Sequence, residues 1–92
     1  LFALTVNGDS MIDSFIADGD MVLMEPVNEP ARLRNGTIVS AMVPGLGTTL
    51  KHFFRDGSLV RLEAANTSYD PIEIDAEQVH IQGKLAAVWR KT

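Results

Sequence analysis

Turn signals arrive at short intervals along this chain: Asn7-Gly8, Asp18-Gly19-Asp20, Asn35-Gly36, Pro44-Gly45, Asp56-Gly57 and Tyr69-Asp70-Pro71. Each combines residues that accept a reversed or left-handed backbone with residues that stop a regular element. Only short elements fit between them. The intervening runs are alternating or β-branched, which predicts a mostly β chain, barrel-like or sandwich-like. Phe2, Leu4 and Val6 alternate and predict a first strand. Asp20 to Glu25 and Gly36 to Val43 predict two more. Leu50 to Arg55 and Ser58 to Glu63 predict a hairpin across Asp56-Gly57, read as a type I′ turn. Pro71 to Asp75 is a short strand, and His80 to Trp89 is the last, with a bulge suggested at Gly83.

One short helix is expected after the first strand. Met11, Ile12, Phe15 and Ile16 recur at helical spacing behind Ser10, and Asp13 stands where a capping box has Glu. Gly19 would end it. The whole chain, residues 1–92, reads as one domain. A chain of this size buries roughly 60–65% of its unfolded surface, so its core is adequate. There is no cysteine, which excludes a disulfide scaffold, a thiol nucleophile and thiolate metal sites. Two histidines are too few for a histidine-only metal site, and neither metal nor cofactor is expected. Twelve acids against eight bases give a net charge of −4, so this domain should not hold nucleic acid by electrostatics. The longest uncharged stretch, Asn35 to Leu50, contains glycines, a proline and threonines and does not suit a membrane helix. No basic-then-apolar start suggests a signal peptide, and a cytoplasmic protein is expected. The chain enters mid-pattern at Leu1 and reads as a fragment.

Two residues have local patterns that suit chemistry. Ser10 lies where a strand, a glycine turn and a helix start meet, in Val6-Asn7-Gly8-Asp9-Ser10-Met11. Backbone N–H groups at such a junction lack intrahelical partners and can bind an oxyanion. A serine there is either a nucleophile or simply a helix cap. Lys51 falls on the more apolar face of the predicted hairpin. With Asp56-Gly57 as the loop it pairs with Leu62, and Phe53 pairs with Val60, so these four share one face. Burial lowers a lysine pKa, and a neutral lysine is a general base. The alternative is a lysine that snorkels to the rim of the sheet.

The other candidates are weaker. His52 pairs with Arg61 on the polar face and is expected to be solvated, and His80 has no evident partner. Neither is tied by spacing to Ser10, so a serine–histidine–aspartate triad is not supported. Asp13, Asp18, Asp20 and Glu25 crowd one segment without calcium-loop spacing and read as solvated turn and cap residues. Lys84 to Trp89 is mostly apolar, and an exposed strand edge of that kind invites pairing with another chain. A homodimer with Trp89 at or near the contact is expected.

Ser10 and Lys51 together lead to a family. Val6-Asn7-Gly8-Asp9-Ser10-Met11 resembles the V-[ST/N]-G-[DM]-S-M signature of LexA-type SOS repressors and their self-cleaving relatives. Ile16-Ala17-Asp18-Gly19-Asp20 resembles the I-x-D-G-D stretch that follows it. Leu33 to Val39 resembles V-R-N-G-Q-V-V, and Thr49 to Phe53 resembles V-T-V-K-R-L. Glu63 to Ile72, with Asn66-Thr67-Ser68-Tyr69-Asp70-Pro71, resembles L-x-P-E-N-S-x-x-P-I. Gly83 to Arg90 resembles the closing G-L-A-V-G-V-I-R strand. These segments cover nearly all of Phe2 to Arg90 in the family's order.

The resemblance implies a compact, partly barrel-like β fold of the LexA and signal-peptidase type, and a latent serine–lysine peptidase that cuts its own chain. Ser10 would be the nucleophile and Lys51 the general base, with the backbone N–H groups of Asp9 and Ser10 as the oxyanion hole. It further implies activation by RecA on single-stranded DNA, a homodimer through the last strand, and operator DNA bound by a separate N-terminal domain. The family's scissile Ala-Gly or Cys-Gly is absent and is expected upstream of Leu1, as are the DNA-binding helices. Val43 to Thr48 looks longer than the corresponding loop of well-known members. The alternatives are a UmuD-type polymerase accessory protein, a phage repressor of the same type, or a non-enzymatic β-rich dimerisation module. A type I signal peptidase shares the chemistry but needs a membrane anchor, and none is visible.

Overall fold

The computed structural model describes residues 1–90. Seven strands form: β1 (Phe2–Thr5), β2 (Met21–Pro26), β3 (Ile38–Val43), β4 (Gly47–Asp56), β5 (Leu59–Glu63), β6 (Ile72–Asp75) and β7 (His80–Trp89). They make one sheet in the order β1-β2-β7-β3-β4-β5-β6, curled into a half-barrel. Every neighbouring pair is antiparallel. The spacing of turns predicts the mostly β architecture while leaving barrel and sandwich open, and the partly barrel-like curl is the one that the family resemblance implies.

Alternation along the strands sets the core. Val22 and Met24 of β2 are buried, as are Phe53 of β4 and Val60 and Leu62 of β5, each with more exposed neighbours between them. Two apolar clusters result. One gathers Val39, Ala41, Val43, Phe53, Val60, Leu62 and Ile81 from the β3–β4–β5 side. The other gathers Met11, Ile16, Val22 and Met24, with Phe2, Leu4 and Leu50 packed against them.

The β4–β5 hairpin closes one position later than expected. Its register pairs Asp56 with Leu59, Arg55 with Val60 and Phe53 with Leu62, so Gly57-Ser58 is the loop. Gly57 takes a φ of 60°, while Ser58 is not left-handed, the pattern of a II′ turn with glycine first. The shift moves each partner by two residues. Because side chains alternate with period two, Lys51, Phe53, Val60 and Leu62 still share a face. β4 itself begins earlier than expected, at Gly47. The Val43–Thr48 segment is therefore a connection of Pro44, Gly45 and Leu46 between paired Val43 and Gly47.

The expected two-turn helix is a single 3₁₀ turn, Ile12–Ser14. Phe15 stops it in the left-handed region at φ 63°. The Phe15 N–H donates to the Ile12 carbonyl at 3.0 Å and the Ile16 N–H to the Met11 carbonyl at 3.3 Å. That is the hydrogen-bond pair of a Schellman stop, with Phe15 where glycine is usual. The physical gain is burial. Met11 and Ile16 are each 1% exposed and pack in one cluster, while Phe15 is left 86% exposed. A continuous helix would have put all four apolar residues on one stripe.

The last strand is central for half its length and an edge for the rest. His80 to Lys84 run beside β3, with Gln82 to Lys84 also held on the other side by Val27 and β2, and the β3 pairing ends at Val39 opposite Lys84. Leu85 to Trp89 pair with β2 only. The irregularity expected near Gly83 is present: the β3 register shifts between Ser40 and Ala41, leaving Gln82 without an opposite residue. A Cβ on Gly83 would lie 2.8 Å from the Phe2 ring and 2.9 Å from the Glu25 carbonyl oxygen, so the crowding of β7 on β2 requires glycine.

Candidate active site

Ser10 follows the end of β1 on a tight turn. Gly8 holds φ 89°, and its N–H donates to Asp18 Oδ1 at 2.7 Å. The Val6 N–H donates to the Asp20 carbonyl and the Gly19 N–H to the Val6 carbonyl, both at 2.8 Å. The Asp18-Gly19-Asp20 turn thus cradles the one that carries Ser10. No capping hydrogen bond is made to the 3₁₀ turn, whose cap position is Met11. The hydroxyl of Ser10 is turned elsewhere, to Lys51.

Lys51 is 8% exposed, in the middle of β4. Its Nζ lies 3.1 Å from Ser10 Oγ, 2.7 Å from Thr49 Oγ1 and 3.1 Å from the Leu50 carbonyl oxygen. No carboxylate lies within salt-bridge distance of it among the described residues. Burial, uncompensated by a counter-charge, pushes its pKa below that of a free lysine. The snorkelling alternative does not describe this side chain. A neutral amine has two N–H bonds and one lone pair. Thr49 Oγ1 and the Leu50 carbonyl can take both N–H bonds, which leaves the lone pair for the Ser10 hydroxyl.

The two residues meet at a cleft of about 400 Å³. Leu4 to Asn7 from the β1 side and Thr48 to Leu50 from β4 line it, with Tyr69 at its border. Its β4 wall is unpaired on that side, because β5 pairs with β4 only from His52 onward. Backbone donors and acceptors are therefore open to an extended peptide. The N–H groups of Asp9 and Ser10 have no hydrogen-bond partner among the described residues.

Other residues fall differently from expectation. His52 is not simply solvated. Its Nδ1 lies 3.0 Å from the Gly36 carbonyl oxygen, which fixes Nδ1–H as donor, and Ser14 Oγ donates to its Nε2 at 3.0 Å. It faces Glu63 rather than Arg61. His80 is exposed at the start of β7. Asp20 is not a solvated turn residue either. It is 2% exposed, and both its oxygens accept from Arg90, each at 2.8 Å, while Oδ2 also accepts the Ala17 N–H at 2.8 Å. The Arg90 hydrogen bond, then the Ala17 N–H, hold its carboxyl down to about 2 against the opposing pull of burial.

Three participants escaped the sequence reading. Thr49 has a simple signal: two residues before Lys51 on one strand, it must share that lysine's face. Asn66 and Tyr69 lie within a segment that resembles the family's motif, but nothing in their spacing ties them to Asp9, which they reach from more than fifty positions away. Tyr69 donates its hydroxyl to Asp9 Oδ1 at 2.6 Å, and Asn66 Nδ2 donates to the Asp9 carbonyl at 2.9 Å. The neighbouring carboxylate raises the Tyr69 pKa.

Known proteins share this pattern over the whole chain. It is 44% identical over 91 residues to the LexA repressor of Koribacter versatilis (strain Ellin345), covering 99% of this chain and 42% of that protein. It is 46% identical over 91 residues to the LexA repressor of Roseiflexus sp. (strain RS-1), covering 98% and 40%. The LexA repressor of Zymomonas mobilis is 41% identical over 90 residues, with coverage of 98% and 40%. The chain thus spans about two fifths of the length of these relatives. The family described as Peptidase S24-like matches residues 1–86. The chain therefore belongs to the Peptidase S24-like family.

Proposed function

We propose that this chain is the self-cleaving and dimerisation domain of a cytoplasmic LexA-type repressor of the SOS response, with Ser10 as nucleophile and Lys51 as general base. The observation that carries this reading is the 3.1 Å contact between Lys51 Nζ and Ser10 Oγ, made by a buried lysine with no acid beside it among the described residues. Neutral Lys51 takes the hydroxyl proton as Ser10 Oγ bonds to the carbonyl carbon of the scissile peptide. The carbonyl oxygen becomes an oxyanion, held by the N–H groups of Asp9 and Ser10. When the intermediate collapses, the C–N bond breaks and the leaving amine takes the proton from the Lys51 ammonium. Water, activated by the same lysine, then hydrolyses the ester and frees Ser10.

The scissile Ala-Gly or Cys-Gly would belong to a segment of the same polypeptide preceding Leu1, laid along the open wall of β4. The net charge of −4 supports DNA binding by a separate N-terminal domain, and RecA filaments as the activator are carried over from the family resemblance alone. The unpaired β3-side edge of Leu85–Trp89 supports a two-fold homodimer in which these strands pair antiparallel. Trp89 is 58% exposed there.

The test is self-cleavage of the full-length polypeptide followed from pH 6 to 11 for wild type and Ser10→Ala. The wild-type rate should climb with pH and level off once Lys51 is neutral, at a midpoint below that of free lysine, while Ser10→Ala stays intact. Cleavage of Ser10→Ala at the wild-type rate, or a flat wild-type profile, overturns the assignment. Sedimentation of wild type and Val88→Asp tests the dimer: the variant should dissociate at concentrations where wild type is dimeric.

A further inference from the structure

The geometry points to Asn66 as a positioning residue that sets the orientation of the Asp9–Ser10 peptide, and with it the direction of the Ser10 N–H. Asn66 has this role only if Ser10 is the nucleophile. The carbonyl of Asp9 and the N–H of Ser10 belong to one planar unit, so turning one turns the other. In a trans peptide the two point in opposite directions. Asn66 Nδ2 donates to that carbonyl at 2.9 Å, and the longer bond to it, from the Ile12 N–H, is 3.2 Å. Holding the carbonyl toward Asn66 leaves the Ser10 N–H aimed away from it, without a protein partner among the described residues.

The donor itself is fixed. Asn66 Oδ1 accepts the Ser68 N–H at 2.9 Å, so the amide has its oxygen committed to its own turn and its nitrogen to Asp9. The segment from Ala65 to Tyr69 grips the Ser10 turn at two further points. The Ala65 carbonyl accepts the Asp13 N–H at 2.7 Å, and the Tyr69 hydroxyl holds the Asp9 side chain at 2.6 Å. These anchor the turn as a whole, whereas Asn66 addresses the peptide that carries the oxyanion donor. Without it, rotation of that peptide would bring the Asp9 carbonyl, an acceptor, toward the developing negative charge. Loss of one oxyanion donor costs about 10²–10³ in rate.

Two substitutions separate positioning from shaping. Asn66→Asp keeps an acceptor for the Ser68 N–H, hence the turn, but has no donor for the Asp9 carbonyl. Asn66→Ala loses both. Self-cleavage of the full-length polypeptide is measured across pH for wild type, Ser10→Ala and both variants, with thermal melting of each. Plateau rates are compared, so that a shift of the Lys51 midpoint by the added carboxylate does not enter. Both Asn66 variants should fall at least about tenfold at the plateau, with Asn66→Ala keeping the wild-type pH midpoint. Should Asn66→Ala fail to fold, Asn66→Asp decides. A plateau near wild type in Asn66→Asp overturns the role, because shaping of the turn would then be its whole contribution. If Ser10→Ala stays intact in that same case, the nucleophile stands and the role of Asn66 alone falls. Cleavage by Ser10→Ala overturns both.

Discussion

The two sides of the half-barrel are held together by different means. The β3–β4–β5–β6 side is a run of hairpins around one apolar cluster centred on Phe53, and its registers are regular. The β1–β2 side has a smaller cluster and a long excursion between its two strands, from Val6 to Asp20. That excursion is fastened by polar contacts: Asp18 to the Gly8 N–H, Asp20 to the Ala17 N–H and Arg90, Asn66 and Tyr69 to Asp9. Lys51 stands on the first side and Ser10 on the second. Apolar packing holds Lys51, the proposed base, on a strand with little freedom. Directional hydrogen bonds hold Ser10, the proposed nucleophile, on a turn whose backbone leaves the Asp9 and Ser10 N–H groups without partners among the described residues.

If that division is right, the two sides should answer differently to substitution. The largest effect is at their junction. Lys51→Arg keeps a cation that stays protonated at every accessible pH, so self-cleavage should be abolished throughout pH 6–11 while the protein remains folded, as gel assays and circular dichroism would show. Next is Phe53→Ala on the packed side, which should lower stability by about 3–5 kcal/mol in urea denaturation. Against a total of about 5–15 kcal/mol for a domain, that threatens the fold itself. Gly83→Ala, at the seam of β7 with β2, should cost about 1–3 kcal/mol through the contact with the Glu25 carbonyl.

Asp20→Asn tests the polar side. It should slow cleavage by about threefold to tenfold by loosening the Ser10 turn, with a smaller shift in the urea midpoint than Phe53→Ala. The acid behaviour of wild type follows in sign. The native carboxyl titrates at about 2, below its unfolded value, so its stabilising contribution is complete above the ordinary carboxylate range and is lost as pH falls through about 2. Amide exchange between pH 4 and 2 should therefore rise first between Val6 and Asp20. The smallest effect is in the packed side. Ser40 is buried, and its Oγ has no partner among the described residues, so Ser40→Ala should be neutral or stabilising by up to about 1 kcal/mol.

Residues Gly57 and Phe15 show why parts of the fold were legible and parts were not. Asp56-Gly57 and Gly57-Ser58 both satisfy turn chemistry, and both registers set Phe53 against a buried apolar residue, Val60 or Leu62, so local preference does not choose; the structure takes Gly57-Ser58 and pairs Phe53 with Leu62. The face carrying Lys51 is the same in both registers because the shift is even. At Phe15, helical spacing was real but misleading. Burial of Met11 and Ile16 forced a left-handed stop that no local preference of phenylalanine would suggest.

The sequence by itself determined most of the turns, though not those at Pro30–Arg32 and at residues 76–78, together with the alternation of the strands, the strand face of Lys51 and the junction on which Ser10 stands. All of these follow from preferences of residues near one another in the chain. The tertiary structure decided what reaches across it: the 3.1 Å approach of Lys51 to Ser10, the Arg90 fork on Asp20, and the grip of Asn66 and Tyr69 on Asp9. Those contacts join residues 41 to 70 positions apart. They exist because the sheet curls and brings β1 beside the open part of β4, and curling is a property of the assembled strands that no single segment encodes.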